Sequence, residues 1–376
     1  MTKQTDLINR LARNELVDMV PYQSARRLFA SGDDSAANNI WLNANEAPGA
    51  GDYSVEASCI NRYPDFQPDS LINGYSNYSA LPPSQILATR GADEGIELVI
   101  KAFCRAYQDN ILICPPTYGM YGISAQAQGV GIIEVPLVNN LLNVEEIAKQ
   151  KGQAKVLFLC SPGNPTGNLL PKAQLLQVLE IFKNDAIVVV DEAYIEFSPT
   201  DSMQGIIDEY DNLVVLRTLS KAFALAGLRC GFTLANETII TMLSKVIAPY
   251  PISAPVAEIA SQALNDAGVA RMQSQVAITN TLRNEFSDWL EKQAWCVRVF
   301  DSSANFILFE CTEKDEIFNA LKEQNILIRD QSKQQQLANC LRISIGSEKE
   351  LTLVKTLLEQ AFNQPLTQRA PAQTNV

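Results

Sequence analysis

The 376-residue sequence contains no histidine. This absence excludes a Ser-His-Asp hydrolase, a Cys-His nucleophile pair and any metal site with histidine ligands. Any proton transfer that the chain performs must therefore use lysine, carboxylate or tyrosine side chains.

The sequence also lacks paired cysteines and long apolar runs. Its eight cysteines are scattered, and no two form a Cys-x-x-Cys pair, so neither a zinc site nor a redox motif is indicated. The amino terminus is polar and charged rather than an apolar signal sequence, and no apolar run is long enough to cross a bilayer. We expect a cytoplasmic protein with reduced thiols, no metal and no membrane contact.

The sequence has fewer positively charged than negatively charged residues. The chain carries 30 Lys and Arg residues against 42 Asp and Glu residues, which gives a formal net charge of −12. This balance argues against nucleic acid or an anionic membrane as a partner. If the substrate carries phosphate, the basic groups that bind it must be concentrated locally.

Short, continuous apolar runs alternate with helical patterns in the first two thirds of the chain. The runs predict strands at 86–89, 111–114, 155–160, 186–190, 213–216 and 230–234. Helices are predicted at 91–106 and 172–183. Such runs are typical of strands buried on both faces, so we expect an α/β fold with a mainly parallel sheet.

The sequence texture divides the chain into four parts. Residues 1–45 are expected to be an arm that packs with the small domain, and 46–267 a large domain. A charged helical stretch at 268–292, followed by strand-like runs near 296–300, 304–310 and 340–345, predicts a smaller α+β domain over 268–362. The tail, 363–376, is expected to be disordered.

Reactive side chains follow three of the predicted strands. Asn164, Asp191 with Tyr194, and Ser220 with Lys221 each come just after a strand, and the spacing fits one helix and one strand between them. Ligands of open α/β sheets collect beyond the carboxyl ends of the strands, so these side chains could converge on one crevice.

Lys221 is the centre of this pattern. A lysine in a partly closed site can lose its proton and form a Schiff base with a carbonyl. The hydroxyls of Thr218 and Ser220 and the guanidinium of Arg229 could hold a phosphate beside it. An aldehyde and a phosphate together describe pyridoxal 5′-phosphate (PLP), whose pyridinium nitrogen Asp191 could hold protonated. Taken alone, Lys221 is more simply a solvated lysine.

Two further residues have both a functional and an ordinary interpretation. Gly91 opens a helix just after a strand, where free N–H groups suit a phosphate, although an acidic helix start is also ordinary capping. The ring of Tyr118 could stack on a planar cofactor or equally belong to the core.

Taken together, the motifs are specific. The order Gly91-Ala92-Asp93, Tyr118, Asn164–Gly167, Asp191–Tyr194, Ser220-Lys221, Arg229 and Arg342 resembles the fold-type I PLP-dependent aminotransferases across nearly the whole chain. A narrower likeness, to members that act on L-histidinol phosphate, is carried by 21–27, 42–46, 61–64, 91–97 and 218–231. The resemblance implies a large PLP-binding domain and a smaller one.

The resemblance also implies roles for individual residues. Lys221, Asp191 and Tyr194 are the expected catalytic residues, and Asn164 and Tyr194 are expected to contact the ring oxygen of PLP. Tyr118 would stack on the ring, and the expected phosphate contacts are Ala92, Asp93, Thr218, Ser220 and Arg229. Tyr63 would reach the PLP phosphate of a neighbouring subunit, which implies a homodimer.

The implied reaction transfers the amino group of L-histidinol phosphate to 2-oxoglutarate. Related aminotransferases bind a substrate carboxylate with an arginine at the position of Arg342. Histidinol phosphate has no carboxylate, so Arg342 is expected to meet the phosphate, with Tyr22 and Arg329 helping and Asn45 also contacting the substrate. The reaction belongs to L-histidine biosynthesis.

Other functions remain open at this stage. The nearest are an aromatic amino acid aminotransferase and a threonine-phosphate decarboxylase, which a substrate panel would separate. A PLP-binding regulatory module without turnover is a second class. A nicotinamide-dependent dehydrogenase is a third, although no Gly-x-Gly-x-x-Gly follows an early strand.

Overall fold

The computed structural model describes residues 3–22, 39–56, 58 and 60–362. The expected tail, 363–376, lies outside these residues. So do residues 23–38 of the expected arm, which include part of the segment 21–27.

Strands run through most of the described chain. They are β1 (Ile40–Trp41), β2 (Ile86–Thr89), β3 (Asn110–Ile113), β4 (Gly131–Glu134), β5 (Ala154–Cys160), β6 (Ile187–Asp191), β7 (Leu213–Thr218), β8 (Gly231–Ala235), β9 (Cys296–Val299), β10 (Phe306–Cys311), β11 (Ile326–Leu327), β12 (Arg329–Asp330) and β13 (Cys340–Ser344).

The α-helices of the same residues are α1 (Lys3–Leu11), α2 (Asn14–Val17), α3 (Asp69–Ser79), α4 (Gly91–Phe103), α5 (Met120–Ala127), α6 (Val144–Ala148), α7 (Lys172–Phe182), α8 (Glu237–Ser244), α9 (Ala254–Ala263), α10 (Asp266–Glu291), α11 (Lys314–Glu323) and α12 (Glu348–Phe362). Within the described ranges, no helix combines the length and apolarity that a membrane crossing requires.

The large sheet has seven strands in the described chain, in the order β2-β8-β7-β6-β5-β3-β4. All neighbouring pairs are parallel except those of β8, which runs antiparallel to both β7 and β2. The expectation of an α/β fold with a mainly parallel sheet is confirmed. The carboxyl ends of β5, β6 and β7 meet at one edge, where Cys160 is in register with Asp191.

The central strands of this sheet are buried on both faces because nearly all of their positions are apolar. Val188 and Val190 of β6 pack into a cluster with Leu213 on one face, and Val189 packs into a second cluster with Val214 on the other. Each of these side chains is at most 1% exposed. Covering two faces requires helices on both, which agrees with the alternation of strand and helix in the sequence.

Two helix boundaries differ from the sequence prediction by two residues or more. The helix predicted at 91–106 ends at Phe103, because Cys104 leaves the helix with an extended backbone. The helix predicted at 268–292 begins at Asp266, because the side-chain oxygen of Asn265 accepts the N–H of Gly268 and caps it there.

A second sheet lies in the carboxyl-terminal part of the chain. Its four strands in the described residues run antiparallel in the order β12-β13-β10-β9. Its core includes Trp295, Phe309 and Leu341, together with side chains of α10, α11 and α12. From the amino-terminal segment, β1 pairs in parallel with β11, and Leu42 joins this core.

Candidate active site

A cavity of about 530 Å³ lies at the carboxyl ends of β5, β6 and β7, and β12 and β13 contribute to its wall. Most residues that the sequence singled out line it: Tyr22, Asn45, Ala92, Asp93, Tyr118, Asn164, Asp191, Tyr194, Thr218, Ser220, Lys221, Arg229, Arg329 and Arg342. Tyr63 does not line it. The strand-end argument therefore places the predicted residues at one crevice, while their roles remain predictions.

Lys221 lies just beyond β7 and is half-buried. Its Nζ donates a hydrogen bond to the carbonyl oxygen of Ala44 at 3.0 Å and lies 5.6 Å from the centre of the Tyr194 ring. Burial, reinforced by the positive charge of Arg342, lowers the pKa of Lys221 to about 8. An amine with this pKa is partly neutral near physiological pH, which a nucleophile or base requires.

Asp191 ends β6 and is 2% exposed. Its Oδ2 accepts a hydrogen bond from the Tyr121 hydroxyl at 2.6 Å, and its Oδ1 accepts the N–H of Ala193 at 3.1 Å. Burial raises the pKa of Asp191 to about 6, although both hydrogen bonds act to lower it. A buried carboxylate held in this way suits a cationic partner in the cavity.

The Tyr194 hydroxyl joins two amides. Its oxygen accepts the Nδ2 of Asn45 at 3.0 Å and the Nδ2 of Asn164 at 3.2 Å. Because both contacts use the oxygen as an acceptor, the O–H of Tyr194 remains available to donate into the cavity. Asn164 in turn accepts a hydrogen bond from Arg342 through Oδ1 at 2.6 Å.

A cluster of hydroxyl and guanidinium donors lies beside Lys221. Thr218 Oγ1 and Ser220 Oγ are 2.9 Å apart, and Arg229 Nη2 lies 3.1 Å from Asp93 Oδ2. Arg229 reaches this position with a left-handed backbone, φ 55°. Gly91 also has a positive φ, and a Cβ there would lie 2.9 Å from Arg229 Nη2, so glycine is needed where α4 begins.

Tyr118 is held by Asp93 and by two other rings. Its hydroxyl donates to Asp93 Oδ1 at 3.0 Å, and its ring meets Tyr22 and Tyr121 edge-on, with centroids 6.3 and 5.6 Å apart. These contacts fix the ring plane at the cavity wall.

Arg329 and Arg342 lie opposite each other on β12 and β13. Arg342 is buried, its Nη2 donates to the carbonyl oxygen of Asn43 at 2.9 Å, and its Nε has no hydrogen-bond partner among the described residues. Like charges in direct cross-strand positions repel each other, so the pair favours an anion in the cavity.

The sequence did not identify every side chain that shapes this site. It missed Tyr121, which has no motif of its own and is recognised only by its contact with Asp191. It also did not predict the role of Asn43, whose backbone carbonyl oxygen accepts a hydrogen bond from Arg342. Gln331 and Gln334, which line the cavity beside Arg329, were missed as well.

Tyr63 lies away from the cavity and is 81% exposed. Its ring stacks on that of Tyr250, with centroids 4.4 Å apart and planes 11° from parallel. Its predicted contact with a neighbouring subunit is not tested by a single chain and stays a prediction.

The donor set fits PLP in kind. Lys221 supplies an amine and Asp191 supplies a buried carboxylate. Tyr194 supplies an O–H that is free to donate. The hydroxyls of Thr218 and Ser220 and the guanidinium of Arg229 supply the donors that a phosphate needs. No metal-binding group of carboxylates and thiols is found among the described residues.

The chain was compared with known protein families and sequences. Residues 30–357 match the family described as aminotransferase class I and II. A histidinol-phosphate aminotransferase of Colwellia psychrerythraea is 64% identical over 370 residues, which is 94% of this chain and 100% of the relative. Another, from Salmonella paratyphi B, is 50% identical and covers 93% of this chain and 96% of its own length.

Solved structures give the same result. The histidinol-phosphate aminotransferase of Clostridium acetobutylicum matches with a TM-score of 0.78 and 26% identity, covering 86% of this chain and 99% of its own. That of Sinorhizobium meliloti, solved in complex with pyridoxal-5′-phosphate, matches with a TM-score of 0.81 and 20% identity, covering 93% and 96%. The resemblance that the motifs indicated is thereby confirmed, and the chain belongs to the aminotransferase class I and II family.

Proposed function

We propose that the protein transfers the amino group of L-histidinol phosphate to 2-oxoglutarate with PLP as its cofactor, in the cytoplasm and as part of L-histidine biosynthesis. The products are imidazole acetol phosphate and glutamate. The main structural support is that Lys221, Asp191 and the opposed pair of Arg329 and Arg342 all line one cavity. The names of relatives at 64% and 50% identity support the same activity.

When bound, PLP supplies an aldehyde that condenses with amines and an electron-poor ring that accepts electrons from the substrate carbon. Lys221 would hold it covalently, and Asp191 would pair with its ring nitrogen. Asn164 and Tyr194 would meet the ring oxygen, and Tyr118 the ring face. Ala92, Asp93, Thr218, Ser220 and Arg229 would lie around the phosphate. Within this group the carboxylate of Asp93 pairs with Arg229, so it would orient the guanidinium toward the phosphate.

Lys221 is the group that moves protons. With a pKa lowered to about 8, its Nζ can accept the proton from the α-carbon of the substrate amine and later return a proton. The Ala44 carbonyl accepts one of its N–H bonds and so limits the positions of Nζ. A chain without histidine can thus carry out the reaction, because its lysine is both the attachment point and the base.

The opposed arginines would bind the anionic end of each substrate. Histidinol phosphate has no carboxylate, so its phosphate is the group that two guanidiniums can hold. Arg342 lines the cavity and is already oriented by Asn164 and Asn43. Tyr22 lies beside Tyr118 at the same wall, and Asn45 holds the Tyr194 hydroxyl. The carboxylates of 2-oxoglutarate would use the same arginines in the second half of the reaction.

We further propose that the active form is a homodimer in which Tyr63 reaches the neighbouring cavity. Tyr63 is exposed and stacks on Tyr250, which is exposed as well. Ile60 and Phe66, which are close to Tyr63 in sequence, are also exposed. Mixing Lys221→Ala and Tyr63→Ala subunits tests this. A mixed dimer would hold one site with both residues and regain part of the activity that each variant lacks. If the mixture is no more active than its components, Tyr63 does not act across a subunit boundary.

We also propose that 46–267 and 268–362 form the large and small domains, with 1–45 as an arm on the small one. The separate cores of the two sheets and the β1–β11 pairing support this division.

A substrate panel tests the proposed function. Turnover with 2-oxoglutarate should be highest for L-histidinol phosphate. L-histidinol, which lacks only the phosphate, should lose about 100-fold in kcat/KM, as expected for two charge-assisted contacts. Phenylalanine tests the aromatic alternative, and release of CO₂ from O-phospho-L-threonine tests the decarboxylase alternative. A preference for either over histidinol phosphate would overturn the proposal.

A further inference from the structure

Tyr121 is a buried tyrosine whose polar atom points at the site. It lies on α5, it is fully buried, and its ring stacks on that of Phe158 with centroids 4.8 Å apart and planes 11° from parallel. Its hydroxyl donates to Asp191 Oδ2 at 2.6 Å. That distance is at the short end for an O–H bond to a carboxylate, as in a charge-assisted contact.

We propose that Tyr121 is a positioning residue for Asp191, and that its hydroxyl fixes the carboxylate and keeps it ionised toward the cofactor's ring nitrogen. The inference rests on the proposed function, because it concerns how Asp191 serves PLP. Tyr121 does not line the cavity. It therefore acts through Asp191.

The geometry leaves Asp191 with two donors from the protein. The Ala193 N–H holds Oδ1, and Tyr121 holds Oδ2. The other charges that face Asp191 are the carboxylates of Asp93 and Glu192, which disfavour a further negative charge there. Besides Asp191, the titratable side chains that face Tyr121 include the buried Cys160 thiol and Tyr118, whose ring meets that of Tyr121 edge-on. The hydroxyl therefore supplies the favourable contact that can be removed without disturbing the backbone.

Loss of the Tyr121 hydroxyl should raise the pKa of Asp191. A carboxylate that loses a hydrogen-bond donor becomes more basic. A more basic Asp191 draws the shared proton away from the ring nitrogen, which lowers the electron-accepting power of the cofactor. The substitution Tyr121→Phe removes the hydroxyl and keeps the ring that stacks on Phe158.

Tyr75 offers a matched control. It is also almost fully buried, and it stacks on Phe232 with centroids 3.6 Å apart, but its hydroxyl has no hydrogen-bond partner in the described part of the chain. Tyr75→Phe therefore removes a buried hydroxyl from the same kind of stack without touching Asp191.

The experiment uses the PLP-loaded wild type and both variants. The readouts are the dissociation constant of PLP, kcat and KM, and the ¹⁵N NMR shift of PLP labelled at the ring nitrogen. In Tyr121→Phe, the dissociation constant of PLP should rise and the ¹⁵N shift should move toward that of neutral pyridine. The value of kcat should fall about tenfold, with KM within about twofold. Tyr75→Phe should match the wild type in all three.

A second variant separates positioning from general destabilisation. In an Asp191→Asn background, Tyr121→Phe should no longer change the PLP dissociation constant, because the interaction it removes is already lost. An unchanged ¹⁵N shift in Tyr121→Phe, or equal losses with and without Asp191, would overturn the inference while the proposed function stands. A wild-type protein that binds no PLP would overturn both.

Discussion

Arg329 and Arg342 lie directly opposite each other across β12 and β13, at the wall of the cavity that faces Lys221. Like charges in directly opposed cross-strand positions repel each other. Arg342 is further held by Asn164 and Asn43, so its orientation is set before any ligand arrives. We propose that this pair is the anion site of the cavity, where a bound phosphate would relieve the repulsion.

Arg342→Lys should raise KM for histidinol phosphate about 10- to 100-fold, because an ammonium lacks the planar fork with which a guanidinium can bind Asn164, Asn43 and a phosphate together. Steady-state kinetics measure this. Arg298→Lys, a solvent-side arginine over Phe300, is the control and should leave KM unchanged. An unchanged KM in Arg342→Lys would remove this residue from the substrate site.

Lys221→Met should lower kcat by about 10³-fold or more, because the base and the covalent attachment are both lost. The variant should remain folded, which circular dichroism checks. Activity near the wild-type value, with no added amine, would show that another group is the base.

Lys221 should also leave a signature in the stability of the cofactor-free protein. Its pKa falls from 10.5 when unfolded to about 8 when folded, so the unfolded chain binds more protons between these values. Wild-type stability should therefore rise, relative to Lys221→Met, by up to about 3 kcal/mol as pH increases from 8 to 10.5. Urea unfolding across this range measures the difference. Parallel curves for the two proteins would mean that the lysine is not desolvated.

Asp191→Asn should trade activity for stability. The pKa of Asp191 is about 6 in the folded chain and 3.8 otherwise, so its contribution to stability is present below pH 3.8 and is lost as pH rises through 6. Without cofactor at pH 7, the variant should be more stable than the wild type by up to about 3 kcal/mol, while kcat falls. Urea unfolding and kinetics check both. A variant that is less stable at pH 7 would contradict the burial argument.

Arg217 should be important for stability. It is buried between Glu192 and Glu196, at 3.0 and 2.9 Å, so Arg217→Met leaves two buried carboxylates without their cation. The free energy of unfolding should fall by about 3–5 kcal/mol. The exposed pair Lys183–Glu180 provides the control. Lys183→Met should change the free energy of unfolding by less than about 0.5 kcal/mol. Equal losses of stability in Arg217→Met and Lys183→Met would contradict the expectation that the buried ion pairs matter more than the exposed one.

The sequence predicts the sheet and most of the site because its signals are local. Apolar runs such as Val188–Val190, bounded by turn residues, favour buried strands, and the residues that follow parallel strands meet at one edge of the sheet. The direction of β8 is not predictable in this way, because an apolar run has the same pattern in either direction. The charged stretch at 268–292 predicts where α10 begins only approximately. Asn265 caps the helix, so α10 begins at Asp266.

The contacts of the site that the sequence did not predict join residues that are far apart in the chain. Tyr121 and Asp191 are 70 residues apart in sequence, and Asn43 and Arg342 are 299 apart, so only the folded chain reveals these contacts. Tyr63 marks a different limit, because its predicted contact needs a second chain.

Aminotransferase activity is measured by mixing the purified, PLP-loaded protein with L-histidinol phosphate and 2-oxoglutarate and quantifying glutamate. We expect one glutamate for each histidinol phosphate consumed, with imidazole acetol phosphate as the other product. A protein that binds PLP and yet forms no glutamate from this pair would contradict this expectation.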